Sequence, residues 1–84
     1  MNFHTEKSMY APGETAVIHM EGLPEEAAFL RATLRHLENL VRTEALPAAE
    51  TVSLSLPEAD FTGYLLEIQA LNAAGETISQ AIGA

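Results

Sequence analysis

Apolar and polar residues alternate with period two in several short runs of this chain. The cleanest run is 51–56, where Val52, Leu54 and Leu56 interleave with Thr51, Ser53 and Ser55. Successive side chains of a strand point to opposite faces, so such a run reads as a half-buried strand. Ala16, Ile18 and Met20 alternate with Thr15, Val17 and His19 in the same way. Tyr64, Leu66, Ile68 and Ala70 make a third inner row, with Glu67 and Gln69 pointing out and Leu65 and Leu71 in the outward or edge phase. Turn-forming residues punctuate the chain at Pro12-Gly13, Gly22-Leu23-Pro24, Glu38-Asn39, Leu46-Pro47, Pro57 and Ala74-Gly75. The pattern predicts strands near 2–8, 15–21, 27–36, 40–45, 51–56, 62–71 and 76–82. Seven short strands with short connections suit a β-sandwich.

One segment supports two readings. In 24–42, Leu30, Leu34, Leu37 and Val41 recur at helical spacing, and Pro24, Glu25 and Glu26 would suit the first turn of a helix. The same segment alternates as a strand, with Ala28, Leu30, Ala32, Leu34 and His36 against Phe29, Arg31, Thr33 and Arg35. Glu38-Asn39 would then be a two-residue hairpin turn, with Asn39 taking the positive φ.

Eighty-four residues make a single domain with one modest core. With no cysteine there is neither a disulfide framework nor a thiolate metal site. The net charge is −8, and Lys7, Arg31, Arg35 and Arg42 are the only basic residues. So acidic a chain repels phosphate, which argues against nucleic acid and anionic membranes as partners. No apolar run approaches the ~20 residues of a membrane span. Met1-Asn2-Phe3-His4-Thr5 lacks the pattern of a signal peptide, so either the parent protein stays inside the cell or a leader precedes this chain.

No catalytic constellation stands out. Paired carboxylates serve glycoside hydrolysis, but the close sets, Glu25-Glu26 and Glu58 with Asp60, sit beside prolines in expected loops and read as solvated charges. His4, His19 and His36 share no short ligand spacing, so neither a metal nor a cofactor is expected. His19 is expected on the outer face of its strand and His36 at the end of an inner row. Sugars stack on exposed aromatic rings, and this chain has no Trp. Tyr10 belongs to a turn and Phe61 and Tyr64 to the core, which leaves Phe29, in the outward phase, as the one platform.

Three motifs carry a resemblance: Lys7-Ser8-Met9-Tyr10-Ala11-Pro12-Gly13-Glu14, His36-Leu37-Glu38-Asn39-Leu40-Val41 and Asp60-Phe61-Thr62-Gly63-Tyr64-Leu65. In order and rough spacing they are similar to the N-terminal immunoglobulin-like domain of glycoside hydrolase family 66, which holds endo-dextranases and cycloisomaltooligosaccharide glucanotransferases. The first motif opens many unrelated sandwiches; the later two are more specific. The resemblance implies an all-β immunoglobulin-like β-sandwich of about seven antiparallel strands, with a strand before His36-Leu37. It implies an extracellular, bacterial setting and a catalytic (β/α)8 barrel downstream, whose nucleophile and acid/base map to no residue here. The expected role is a non-catalytic accessory domain that packs against that barrel and positions it, with Phe29, Leu65 and Leu71 as candidate interface residues. Two other roles stay open: a carbohydrate-binding module with weak affinity for α-1,6-glucan, and a generic immunoglobulin-like surface or adhesion repeat.

Overall fold

A computed structural model of the chain describes residues 1–37, 39–57 and 64–83. Seven strands run in order: β1 (Asn2–Thr5), β2 (Thr15–Glu21), β3 (Phe29–His36), β4 (Asn39–Pro47), β5 (Thr51–Ser55), β6 (Tyr64–Leu71) and β7 (Thr77–Gly83). There is no helix among the described residues. The strands form two antiparallel sheets, β1-β2-β5 and β4-β3-β6-β7. The rows foreseen from alternation meet between them: Ala16, Ile18, Met20, Val52 and Leu54 from one sheet, and Leu30, Ala32, Leu34, Leu66, Ile68 and Ala70 from the other, are all buried. The protein is a β-sandwich.

The ambiguous 24–42 segment is strand, turn and strand. Tertiary pairing overrides the helical period, because β3 lies inside its sheet with β4 on one flank and β6 on the other. As a strand it buries Leu30, Ala32 and Leu34 on one face; the helical stripe would have included Leu37, which is exposed at the turn. The turn itself falls one residue earlier than expected. His36 pairs with Asn39, so Asn39 already belongs to β4, and Leu37 takes the positive φ of 57°. The register shifts by one residue between Leu34 and Arg35, leaving Val41 as the extra residue of β4. With this bulge Asn39 is drawn into the ladder, and Leu37 takes up a backbone region that favours glycine or asparagine.

The Tyr-x-Pro-Gly-Glu string is a structural clasp between β1 and β2. Glu14 N–H donates to the Ala11 carbonyl at 3.1 Å, with Pro12 and Gly13 at the central positions and Gly13 at φ 79°. A type II turn requires this choice of residues, since proline presets the first φ and glycine accepts the positive second one. The Glu14 carboxylate then accepts Ala11 N–H at 2.8 Å and pairs with Lys7. The Lys7 ammonium also sits 5.1 Å from the centre of the Tyr10 ring, whose hydroxyl accepts Lys7 N–H at 3.1 Å. Gly13 N–H and Leu56 N–H tie the clasp to the end of β5, bonding to Pro57 and Glu14 carbonyls at 2.9 Å each.

The last strand is inverted. Small residues of β7, Ser79, Ala81 and Gly83, are half-buried, while Ile78, Gln80 and Ile82 are exposed. Phe3 of β1 lies against the last of these: a Cβ on Gly83 would stand 3.0 Å from Phe3 Cζ, a tight contact that the ring would have to shift to relieve. The half-buried ring packs against the core cluster beside Gly83.

Two predictions follow from this architecture. Ile68→Ala should destabilise by about 2–5 kcal/mol in urea melts, whereas exposed Gln80→Ala should stay within about 0.5 kcal/mol; similar losses at both would contradict the register. The Lys7 and Ala11 contacts hold the Glu14 carboxyl below its ordinary value, in that order of importance. A carboxyl whose pKa is lowered on folding stabilises above its unfolded value, about 4.3, and that contribution fades as pH falls through the folded value. Wild type should therefore exceed Glu14→Gln in stability at pH 7, with the gap closing toward pH 3; a constant gap would contradict the charge pairing.

Candidate functional site: the outer face of the four-stranded sheet

Alternation fixes which side chains leave the core. On β3 these are Phe29, Arg31, Thr33 and Arg35, and the two flanking registers extend each into a row. Arg35 stands between Leu40 and Leu65; Thr33 between Thr43 and Glu67, with Ile82 beyond; Arg31 between Ala45 and Gln69, with Gln80 beyond; Phe29 between Pro47 and Leu71. Toward one end of this face Leu40, Leu65 and Ile82 are 57%, 38% and 58% exposed, and Leu37, at the turn after β3, is exposed as well. A strand facing solvent would ordinarily carry polar residues at such positions.

The face is also the least acidic part of an acidic chain. Arg31 and Arg35 are two of the four basic residues, and Glu67 is the one acid in these rows among the described residues. Arg31 Nε is buried without a hydrogen-bond partner among the described residues. A guanidinium keeps its charge and offers several donors, so the half-buried Arg31 gives this face a fixed positive charge.

The three candidate interface residues fare differently. Leu65 is outward and exposed, as expected. Phe29 is outward but half-buried. Leu71 lies opposite Phe29 in the outward phase, yet it is only 3% exposed, so the expectation of an open edge residue is corrected. Its neighbours cover it: with Phe29, Arg31, Thr43, Ala45 and Gly75 it lines a depression of about 260 Å³. Thr33, mid-face, is buried in the same manner. Sequence reasoning missed Leu40 and Ile82. The signal for Ile82 was the inverted pattern of the final strand, large apolar residues alternating with Ser79, Ala81 and Gly83.

The outer face of the other sheet contrasts with this one. It carries Thr15, Val17, His19, Glu21, Thr51, Ser53 and Ser55, with His4 from β1. His19 is on that outer face as expected, and His36 sits at the inner end of β3, edge-on to Tyr64 at 5.9 Å between ring centres. Glu25 and Glu26 are exposed in the connection between β2 and β3. Glu58, Asp60 and Phe61 lie outside the described residues. An open cleft of about 820 Å³ at one end of the sandwich is lined by Glu6, Lys7, Tyr10, Leu34, Leu54 and Tyr64, among others, and Glu6 is the only acid on it among the described residues. Glycoside hydrolysis ordinarily needs two carboxyl groups about 5–10 Å apart, a pair this cleft does not present among those residues.

No curated protein and no solved structure matches the chain. A family model does, described as glycosyl hydrolase family 66, and its match runs over residues 5–84. The match takes in the β1–β2 clasp and all the strands from β2 to β7; the chain belongs to glycosyl hydrolase family 66.

Proposed function

We propose that this chain is the immunoglobulin-like N-terminal accessory domain of a dextran-active glycoside hydrolase or glucanotransferase. It contributes no catalytic group. Its work is to dock on the catalytic (β/α)8 barrel of the same parent chain and hold that barrel in position. Family membership supports a role within a glycoside hydrolase. The strand order β1-β2-β5 over β4-β3-β6-β7 supports the immunoglobulin-like reading, since it pairs a three-stranded sheet with a four-stranded one around alternating inner rows.

The observation that carries the proposal is the exposed apolar cluster of Leu40, Leu65 and Ile82 on one sheet face. Single exposed leucines need no explanation, but three large apolar residues exposed toward one end of one sheet face, with Arg35 between Leu40 and Leu65, mark a surface that another body covers. Interfaces between domains of one chain bury roughly 600–1,500 Å² and tolerate polar groups, so Arg31 and Arg35 fit within such a contact and favour carboxylates or carbonyls opposite them.

The test is a parent enzyme carrying Leu40→Ser, Leu65→Ser and Ile82→Ser together, beside the isolated domain with the same changes. The isolated domain should keep its fold, each exposed substitution changing stability by about 0.5 kcal/mol or less. The parent enzyme should lose thermal stability and dextran-directed activity. Unchanged melting and activity of the substituted parent would contradict docking through this face. Binding of dextran by the isolated domain with a Kd below about 0.1 mM would favour a carbohydrate-binding role instead.

A further inference from the structure

The antiparallel register of β1 and β2 brings two His-x-Glu strings side by side: His4-Thr5-Glu6 and His19-Met20-Glu21. His4 pairs directly with His19, and their rings stack with centres 5.0 Å apart at 28° between planes. Each carboxylate reaches diagonally to the opposite strand. Glu6 Oε1 lies 3.1 Å from His19 Nε2, and Glu21 Oε1 lies 3.4 Å from His4 Nδ1. On the far side of His19, Thr51 Oγ1 lies 3.4 Å from Nδ1. The cluster is on the outer face of the three-stranded sheet, away from the face proposed to dock.

We infer that His4 and His19, with Glu6, form a binding site for a borderline divalent transition cation of the zinc class. Three observations support this. First, two imidazoles sharing one tetrahedral zinc, at ~2.0–2.1 Å per Zn–N bond, hold their ring centres roughly 5 Å apart, which is the spacing found here. Second, each Nδ1 has an oxygen partner, Glu21 for His4 and Thr51 for His19. A ligating histidine commonly donates its second ring N–H to a carboxylate, carbonyl or hydroxyl, which fixes the tautomer and leaves Nε2 for the metal. Third, the Glu6 carboxylate already sits at His19 Nε2 and supplies an anionic third ligand.

Among the described residues no three such donors already surround one point. His4 and Glu6 are exposed, so both side chains have room to turn toward an ion held at His19 Nε2. With the ion on His19 Nε2, the ring proton sits on Nδ1 and is donated to Thr51, and the ion takes the place of the His19–Glu6 contact. The ion bridges β1, a four-residue edge strand, to β2 and so pins the edge of the smaller sheet. Two imidazoles and a carboxylate favour zinc or copper over magnesium, which prefers all-oxygen sites.

Calorimetric titration of the 84-residue chain with zinc chloride tests the site. The expected result is one-to-one binding with a Kd on the order of 10 µM, no detectable magnesium binding at the same concentrations, and a rise in Tm with zinc. His4→Ala or His19→Ala should weaken zinc at least about tenfold and Glu21→Gln by several-fold, while Glu26→Gln, a remote exposed carboxylate, should leave it unchanged. Imidazole nitrogen NMR of the unsubstituted chain should show zinc shifting Nε2 of His4 and His19 but not of His36. Absence of binding up to 1 mM zinc, equal affinity in the His4→Ala/His19→Ala double variant, or shifts confined to His36 would each overturn the assignment.

Discussion

The ladder between β3 and β6 is the constraint from which the rest of the molecule takes its order. It runs without a register shift from Phe29↔Leu71 to His36↔Tyr64. Leu30, Ala32 and Leu34 thereby face the same way as Ala70, Ile68 and Leu66, and these six close the core against β2 and β5. A slip of one residue between them would turn one of the two rows to solvent and bury in its place either Arg31 and Arg35 or Glu67, at a cost of several kcal/mol for each charge left without a partner. The outward set is fixed with the inward one. The apolar and arginine-bearing rows of the outer face are therefore a consequence of how the core is registered, and Thr33 in the middle of that face and Leu71 at its end are buried although both lie in the outward phase.

Irregularities gather where the ladder meets its flanks. On the β4 side the bulge at Leu34/Arg35 leaves Val41 unpaired and brings Leu40 opposite Arg35, which places it beside the exposed cluster. On the β7 side a shift at Ala70/Leu71 accompanies the inverted strand, whose isoleucines face outward while Gly83 lies against Phe3. Neither feature is needed to close the core. Both add apolar surface to the same face, and this coincidence, more than any single residue, supports a covered surface there.

Much of the fold was legible because its strands are amphipathic with a clean period of two. The rows at 15–20, 51–56 and 64–70 are inner and outer as their alternation foretold. Segment 24–42 was not legible from periodicity, since leucines at 30, 34 and 37 satisfy a helix and a strand alike. Only the partners on both flanks of β3 decide between them. The placement of the turn was missed because a one-residue bulge leaves no mark in composition, and Leu37 is an unlikely bearer of positive φ. The candidate face was half legible: Leu65 followed from phase, Ile82 required noticing that a terminal strand can be inside out, and Leu71 shows that outward phase is not exposure. His4 and His19 stand fifteen residues apart in sequence, and only the β1–β2 register reveals them as neighbours.

The two outer faces divide the molecule into a polar side that bears the histidine pair and a mixed side where Leu40, Leu65 and Ile82 stand exposed among arginines, the side proposed to dock. This division is the central claim, and thiol labelling measures it directly. The chain has no native cysteine, so Leu65→Cys, Ile82→Cys and Ser53→Cys can each report on one position. Maleimide modification of each would be timed in the isolated domain and in the parent enzyme. The account predicts labelling at positions 65 and 82 slowed at least about tenfold in the parent, a protection equivalent to about 1.4 kcal/mol, with position 53 unchanged. Equal rates in both contexts at 65 and 82, or protection at 53 alone, would contradict it.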